Sequence, residues 1–210
     1  SRHHVAVVTE DRQGVCGDGA GRHVDDRRRE LPGDLEHVGQ HQQQTLRRGE
    51  RGAHRAGLER ALAGVDLVFH LAAAQHEANV GEDYFRRINV EGTRTLLQAA
   101  IAAGVNRFIH GSTIGVYGSA ASGELDESSP TRPDNMYGVT KLEGEQVALS
   151  YNSRIPVTAI RISETYGPGD NRLLKLFKAV KKGRFFMIGS GLNVRQLIYV
   201  DDLIDGMFRA

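Results

Sequence analysis

The chain has few of the features that tie a protein to the cell exterior or to a membrane. Cys16 is its single cysteine, so no disulfide can form within the chain. It contains no apolar run of about eighteen residues, the length that a membrane-spanning helix needs. Its 27 basic and 26 acidic residues give a net charge of +1, which favours neither nucleic acid nor an anionic membrane as a partner. This composition predicts a soluble, cytoplasmic protein of one or two domains that acts on a small molecule.

Residues 1–57 lack aromatic residues, isoleucine and lysine entirely, although the whole chain has six tyrosines and seven phenylalanines. The same segment is rich in arginine, histidine and glutamine. Only the apolar run of residues 5–8 predicts a buried strand there, because no other stretch has apolar residues at the period of a strand or a helix. We therefore expect residues 1–57 to be an atypical segment, either disordered or produced by a reading-frame error upstream of about Gly52.

From Leu58 onward, short apolar runs alternate with amphipathic segments, as in βαβ units. Leu58 and Leu62 predict a short helix, and the run of residues 65–71 predicts a buried parallel strand. The further predicted elements are a helix over 82–103 ending at Gly104, a strand over 107–113, a loop over 118–134, a helix over 135–151, a strand over 157–162, a helix over 173–182, a strand near 185–188 and a helix from about 201. This order predicts an α/β fold with a doubly wound parallel sheet. The helical pattern continues to Ala210, so we expect a C-terminal region to be truncated.

The spacing of Tyr137 and Lys141 is the strongest chemical signal, since residues four apart on a helix share one face. An ammonium beside a phenol favours the phenolate, so we expect the pKa of Tyr137 to be lowered towards neutrality. Ser112 and Thr113 end the predicted strand 107–113, where sites form in open α/β sheets. A hydroxyl, a phenol and an ammonium in one crevice suit proton removal from an alcohol, provided that a cofactor accepts the hydride. On spacing alone, Tyr137 packed in the core and Lys141 in solvent is the more common outcome.

Several motifs in order resemble those of the extended short-chain dehydrogenase/reductase family, of the NAD-dependent epimerase/dehydratase type. They are Phe69-His-Leu-Ala-Ala73, Asn89-Val-Glu-Gly-Thr93, Ser112-Thr-Ile-Gly-Val-Tyr-Gly118, Tyr137-x-x-x-Lys141, Arg161 to Pro168, and Arg195-Gln-Leu-Ile-Tyr-Val-Asp-Asp202. The resemblance covers about residues 58–210. It implies a Rossmann-like domain that binds NAD or NADP and carries the catalytic groups, followed by the start of a substrate-binding region.

The resemblance also implies roles for individual residues. Thr113, Tyr137 and Lys141 correspond to the catalytic residues, with Tyr137 as the acid and base and Thr113 also facing the substrate. Arg195 corresponds to an arginine that holds a substrate phosphate, a role that suits a guanidinium group. The residues implied to bind the cofactor are Leu71, Ala72, Ala73, Asn89, Ser112, Tyr137 and Lys141. No residue is assigned to a metal.

The chain departs from the family pattern in three places. The glycine signature that follows the first strand is missing, and the glycines at 14, 17, 19 and 21 are a weak substitute for it. Ile114 and Gly115 stand where sugar dehydratases carry an Asp-Glu pair, which disfavours dehydration. Glu164 replaces an asparagine that contacts the diphosphate in many epimerases, and its carboxylate would repel that group.

Two classes of enzyme remain open from these residues. The first is an NAD(P)-dependent epimerase that acts on a nucleotide sugar and inverts one carbon. The second is a reductase or dehydrogenase of a non-sugar carbonyl or alcohol; an inactive fragment of such an enzyme is a third reading. The resemblance further implies a homodimer formed through two helices, one of which carries Tyr137.

Overall fold

The computed structural model describes residues 4–9, 35–39, 48–75, 80–119, 121, 123–187, 189–192 and 194–210. Contacts between Cα atoms divide the chain into two compact units, Ser1–Ile160 and Arg161–Ala210. The glycines at 14, 17, 19 and 21, in which we sought a phosphate-binding loop, lie outside the described residues.

The first unit is built on a five-stranded sheet with the order β2-β1-β3-β4-β5. The strands are β1 (Val5–Thr9), β2 (Leu35–Gly39), β3 (Leu67–His70), β4 (Arg107–Thr113) and β5 (Val157–Ile162). Strand β1 pairs in parallel with both β2 and β3, and β3 pairs in parallel with β4. The strand order reverses at β1, so the carboxyl ends of β1 and β3 flank the switch point where such sheets bind ligands.

Helices pack on this sheet around one apolar core. They are α1 (Arg48–Ala61), α2 (Glu82–Arg86), α3 (Thr93–Ala103) and α4 (Met136–Ser150), and a π-helical turn (Arg87–Gly92) joins α2 to α3. Gly104 ends α3 in the left-handed conformation, with φ of 77°, as its position in the sequence predicted. Side chains of β1, β3, β4, α3 and the end of α1 form the core, among them Val8, Leu62, Val68, Leu96, Leu97 and Phe108. Ala148 of α4 belongs to the same core.

The second unit contains two short parallel strands and two helices. Its elements are β6 (Glu164–Tyr166), α5 (Asn171–Lys181), β7 (Leu197–Tyr199) and α6 (Val200–Arg209). The rings of Tyr166 and Tyr199 face each other across the strand pair, with centroids 5.4 Å apart. None of the helices among the described residues of either unit has the length and apolar character needed to cross a membrane.

The structure confirms the doubly wound parallel fold and changes several of its details. The segment before Leu58 provides β1, β2 and most of α1, where only one strand was predicted. Strand β2 lies at the sheet edge and is defined by its backbone pairing with β1. The sequence of β2 has no apolar pattern from which a strand could be predicted. The strand predicted near 185–188 is wrong: residues 184–187 form no strand, and the second unit uses Leu197–Tyr199 instead.

Gly144 of α4 allows that helix to lie against the backbone of the π-helical turn. A Cβ at this position would overlap with the carbonyl oxygen of Asn89. We therefore expect Gly144→Ala to lower the free energy of unfolding by about 1–3 kcal/mol, although alanine is the better helix former. Gly57→Ala in α1 is the matched control, because a Cβ there meets nothing within 4 Å. It should stabilise the protein by up to about 1 kcal/mol. Chemical denaturation of both variants measures the difference, and equal effects would contradict the close approach.

Candidate active site

Thr113 closes β4 and caps the 3-10 turn (Ile114–Tyr117) that follows it. Its hydroxyl oxygen accepts a hydrogen bond of 3.1 Å from the backbone N–H of Gly115. The side chain is half-buried. Thr113 therefore lies where the sequence placed it, at the carboxyl end of a strand in a parallel sheet, where ligands bind in open α/β folds.

Tyr137 is the second residue of α4 and lies in its first turn. The side chain of Asn135 accepts a hydrogen bond of 2.8 Å from the N–H of Gly138 and so starts the helix. The Thr113 side chain lies close enough to the Tyr137 phenol to act on its ionisation. The structure thus brings together the strand-end hydroxyl and the phenol, two of the three groups predicted to converge.

The expected lowering of the Tyr137 pKa is wrong. Burial raises the pKa of this phenol above its usual value of 10.0, and the nearby hydroxyl of Thr113 opposes the rise only in part. The charge of Lys141 is not among the influences on the phenol. Tyr137 is therefore a protonated phenol at neutral pH in this structure, which makes it a proton donor first.

Lys141 is buried, with 3% of its surface exposed, and its amine donates a hydrogen bond to the backbone carbonyl of Gly111. Burial lowers the pKa of this amine from 10.5 to about 8, while the charge of Glu145 raises it. An ammonium group has three N–H donors, and one of them is used by Gly111. Among the described residues no other hydrogen-bond acceptor of this amine is found.

Ser112 has a different surrounding from its neighbour Thr113. Its hydroxyl is buried and donates a hydrogen bond of 2.5 Å to the carboxylate of Glu145, which is buried as well. Sequence analysis assigned Ser112 to the cofactor and did not single out Glu145. The signal for Glu145 was present, because it lies one helical turn after Lys141 and so shares its face of α4.

Asn89, in the π-helical turn, connects the segment after β3 to α4. Its side-chain oxygen accepts a hydrogen bond of 2.8 Å from the N–H of Ala74, and its amide donates to the carbonyl of Ala74 and to the hydroxyl of Thr140. At the start of the same segment, the N–H of Leu71 donates to the carbonyl of Val8 in β1. The cofactor role predicted for the segment, which includes the buried Ala72 and the half-buried Ala73, stays a prediction.

Two buried histidines lie in the neighbouring strands β3 and β4, and no role was predicted for either of them. The ring centroids of His70 and His110 are 5.4 Å apart. Burial, followed by the charge of Lys141, lowers the pKa of His70 to about 3, and the same two causes lower the pKa of His110. Both rings are therefore neutral at physiological pH.

Arg195 belongs to the second unit, where it forms an ion pair of 2.9 Å with Glu164. The guanidinium is largely exposed and the carboxylate is partly buried. The two residues that sequence analysis connected with a substrate diphosphate thus contact each other. Within the described part of the chain, no three His, Cys, Asp or Glu side chains are grouped to hold a metal ion.

The lowered pKa of Lys141 predicts how stability depends on pH. Below about pH 8 the amine is charged in both the folded and the unfolded protein, and the cost of burying the charge is fully present. Between about pH 8 and 10.5 the folded protein releases the proton while the unfolded chain keeps it. The unfolding free energy should therefore rise, by about 1.5 kcal/mol between pH 8 and 9.5.

The Lys141→Met variant should lack this rise, because methionine fills a similar volume and carries no charge. Lys178→Met, at an exposed position of α5, is the control and should keep the slope of the wild type. Denaturant titrations at fixed pH values measure the slope. A slope that survives in Lys141→Met would show that another group causes it.

Comparison with known proteins gives a family match over most of the chain. The model of the NAD-dependent epimerase/dehydratase family matches residues 29–210. Among curated proteins, the chain is 38% identical over 156 residues to dTDP-glucose 4,6-dehydratase of Streptomyces griseus, which covers 70% of this chain and 48% of that protein. It is 32% identical over 153 residues to N-acetyl-alpha-D-glucosaminyl-diphospho-ditrans,octacis-undecaprenol 4-epimerase of Escherichia coli O157:H7, covering 70% and 46%.

A solved structure agrees with these relatives in fold. UDP-glucuronic acid 4-epimerase from Bacillus cereus, in complex with NAD, superposes with a TM-score of 0.63 at 33% identity. The match covers 72% of this chain and 50% of the epimerase. The chain spans about half the length of the relatives it matches.

The family match covers far more than half of the residues, and the parallel sheet has the Rossmann-type architecture of the solved relatives. The resemblance noted in the sequence motifs is therefore confirmed. The chain belongs to the NAD-dependent epimerase/dehydratase family.

Proposed function

We propose that this protein acts as an NAD-dependent epimerase on a nucleotide sugar. The observation that carries the proposal is the proximity of the Thr113 hydroxyl, at the carboxyl end of β4, to the phenol of Tyr137 on α4, the helix that also carries the buried Lys141 amine. The named relatives include epimerases of UDP-glucuronic acid and of an N-acetylglucosaminyl diphospho-lipid, both of which are diphosphate sugars.

The described residues fit a dinucleotide at the switch point of the sheet. The segment after β3 carries the small residues Ala72, Ala73 and Ala74, and the amide of Asn89 fixes its backbone at Ala74. The Lys141 amine has two donors left after its bond to Gly111, which suits the paired hydroxyls of a ribose. When bound there, NAD supplies the oxidation and reduction of the carbon that bears the reacting hydroxyl.

Tyr137 exchanges the proton of that hydroxyl. As a protonated phenol it is ready to return a proton to a ketone oxygen, the second half of an epimerisation. In the first half the ionised form of Tyr137, the phenolate, accepts the proton of the sugar hydroxyl. The hydroxyl of Thr113 favours this phenolate. A sugar ketone that turns over between the two halves then receives the hydrogen on its opposite face, and the carbon is inverted.

Epimerisation is favoured over dehydration by the residues that follow Thr113. Loss of water from a sugar needs an acid that protonates the departing hydroxyl. Ile114 and Gly115 carry no such group, and the N–H of Gly115 is already bonded to the hydroxyl of Thr113. We therefore place the protein with the epimerases, although a dehydratase is among its named relatives.

One observation favours a second candidate function, reduction or oxidation of a non-sugar carbonyl or alcohol. Glu164 forms an ion pair with the guanidinium of Arg195, so an anionic diphosphate would have to compete with this carboxylate for the arginine. The two functions differ in their products. An epimerase converts UDP- or dTDP-sugars without accumulating reduced nicotinamide, whereas a dehydrogenase accumulates it in proportion to product.

Replacement of Tyr137 tests the proposed function. Tyr137→Phe should lower turnover of a UDP- or dTDP-sugar by about 100- to 10,000-fold, because it removes the proton donor and little else. Tyr151→Phe, which removes a hydroxyl bonded to Gln98 at the other end of α4, is the matched control and should retain turnover. Product stereochemistry by NMR is the measurement. Turnover that is unchanged in Tyr137→Phe would refute the mechanism.

A further inference from the structure

A cluster of buried polar side chains lies behind Thr113 and Tyr137, and proton exchange at the phenol does not account for it. Its members are at most 3% exposed: His70, His110, Ser112, Lys141 and Glu145. Buried ionisable groups destabilise a fold unless they are paired or neutral. The ammonium of Lys141 therefore needs a group of opposite charge within this cluster.

The histidines do not supply a charge. Thr93 donates its hydroxyl proton to the carbonyl of Asn89, so the 2.9 Å contact between Thr93 and Nε2 of His70 requires that Nε2 donate. His70 is then the neutral Nε2–H tautomer, and its Nδ1 has no partner among the described residues. Neither ring nitrogen of His110 has a described partner, which also excludes a stable cation there.

Glu145 is the group with the opposite charge. It lies one helical turn after Lys141 on α4, and its charge acts on the lysine to favour the ammonium. The hydroxyl of Ser112 donates to its carboxylate at 2.5 Å, which fixes the position of the carboxylate. Of the other ionisable groups around the helix, Tyr137 is a neutral phenol, and Arg86 and Glu143 pair with each other through two contacts of 2.7 and 2.8 Å.

We propose that Glu145, fixed by the hydroxyl of Ser112, is a positioning residue that keeps the buried Lys141 amine in its ammonium form and directed at the carbonyl of Gly111. An ammonium has three donors, enough for Gly111 and for two hydroxyls of a ligand. Only this last consequence rests on the proposed function. The charge balance itself is a property of the protein alone.

Glu145→Gln tests the proposal in the protein without ligand, with pH-dependent stability as the readout. Glutamine keeps the shape and the contact with Ser112 but removes the charge. The pH at which the unfolding free energy begins to rise should move down from about 8 by at least about one unit, since the lysine then loses its one favourable charge. Glu145→Asp keeps the charge and should stay closer to the wild type.

Glu143→Gln is the matched control, with the same substitution two residues earlier on the same helix. Its carboxylate bonds to Arg86, so the onset of the rise should remain near pH 8. An onset that stays at pH 8 in Glu145→Gln, or that moves equally in Glu143→Gln, would overturn the proposal.

The double variant Lys141→Met/Glu145→Gln covers the case in which Glu145→Gln does not fold. Breaking a buried pair by removing one partner costs more than removing both. The double variant should therefore fold, with a higher melting temperature than Glu145→Gln and no rise of stability above pH 8. A double variant as unstable as Glu145→Gln would overturn the proposal, whereas the loss of turnover in Tyr137→Phe bears only on the proposed function.

Discussion

A buried positive charge at Lys141 is the constraint to which the surrounding elements conform. Removal of an ammonium from water costs several kcal/mol, and the fold must return most of that through specific partners. It does so with the carbonyl of Gly111 at the end of β4 and with the carboxylate of Glu145 on the same helix. His70 and His110 are neutral because they are buried, and the charge of Lys141 lowers the pKa of each ring further. In the proposed function this cost is balanced by a use, because a ligand at the site needs a charged hydrogen-bond donor.

The position of that charge depends on how closely α4 approaches the rest of the first unit. Gly144 allows the helix to touch the backbone of Asn89, and the side chain of Asn89 binds Thr140 on the same helix. Asn89 lies in a π-helical turn, a local widening that is common at functional sites. The turn thus couples the segment after β3, through Ala74, to the helix that carries Tyr137 and Lys141. The two edges of the site are held by one amide.

Much of the fold and part of the site could be predicted from the sequence. Strand β4, strand β5 and helix α4 were predicted within a residue or so, since the two strands contain short apolar runs and the helix begins after the capping residue Asn135. Strand β2 and the start of α1 were missed because they lie in a polar segment without an apolar period, where the backbone pairing with β1 defines the strand. The π-helical turn could not be predicted, because the spacing of its apolar residues is close to that of an ordinary α-helix. The strand near 185–188 was wrong because an exposed apolar run there imitates a buried one.

The pKa of Tyr137 shows why spacing alone could not give the electrostatics of the site. The i, i+4 rule placed Tyr137 and Lys141 on one face of α4, and it applies equally to Lys141 and Glu145. Which of the two pairs interacts more strongly depends on burial and on the partners from β4, and these are tertiary features. Thr113 acts on the phenol of Tyr137, whereas the adjacent Ser112 donates a hydrogen bond to the carboxylate of Glu145. Two neighbouring hydroxyls of β4 thus contact different residues of α4. In the proposed function Thr113 acts on the phenol that exchanges protons, and Ser112 holds the carboxylate that we propose balances the charge of Lys141. Spacing along α4 therefore predicts which side chains share a face, and the residues of β4 decide which of them interact.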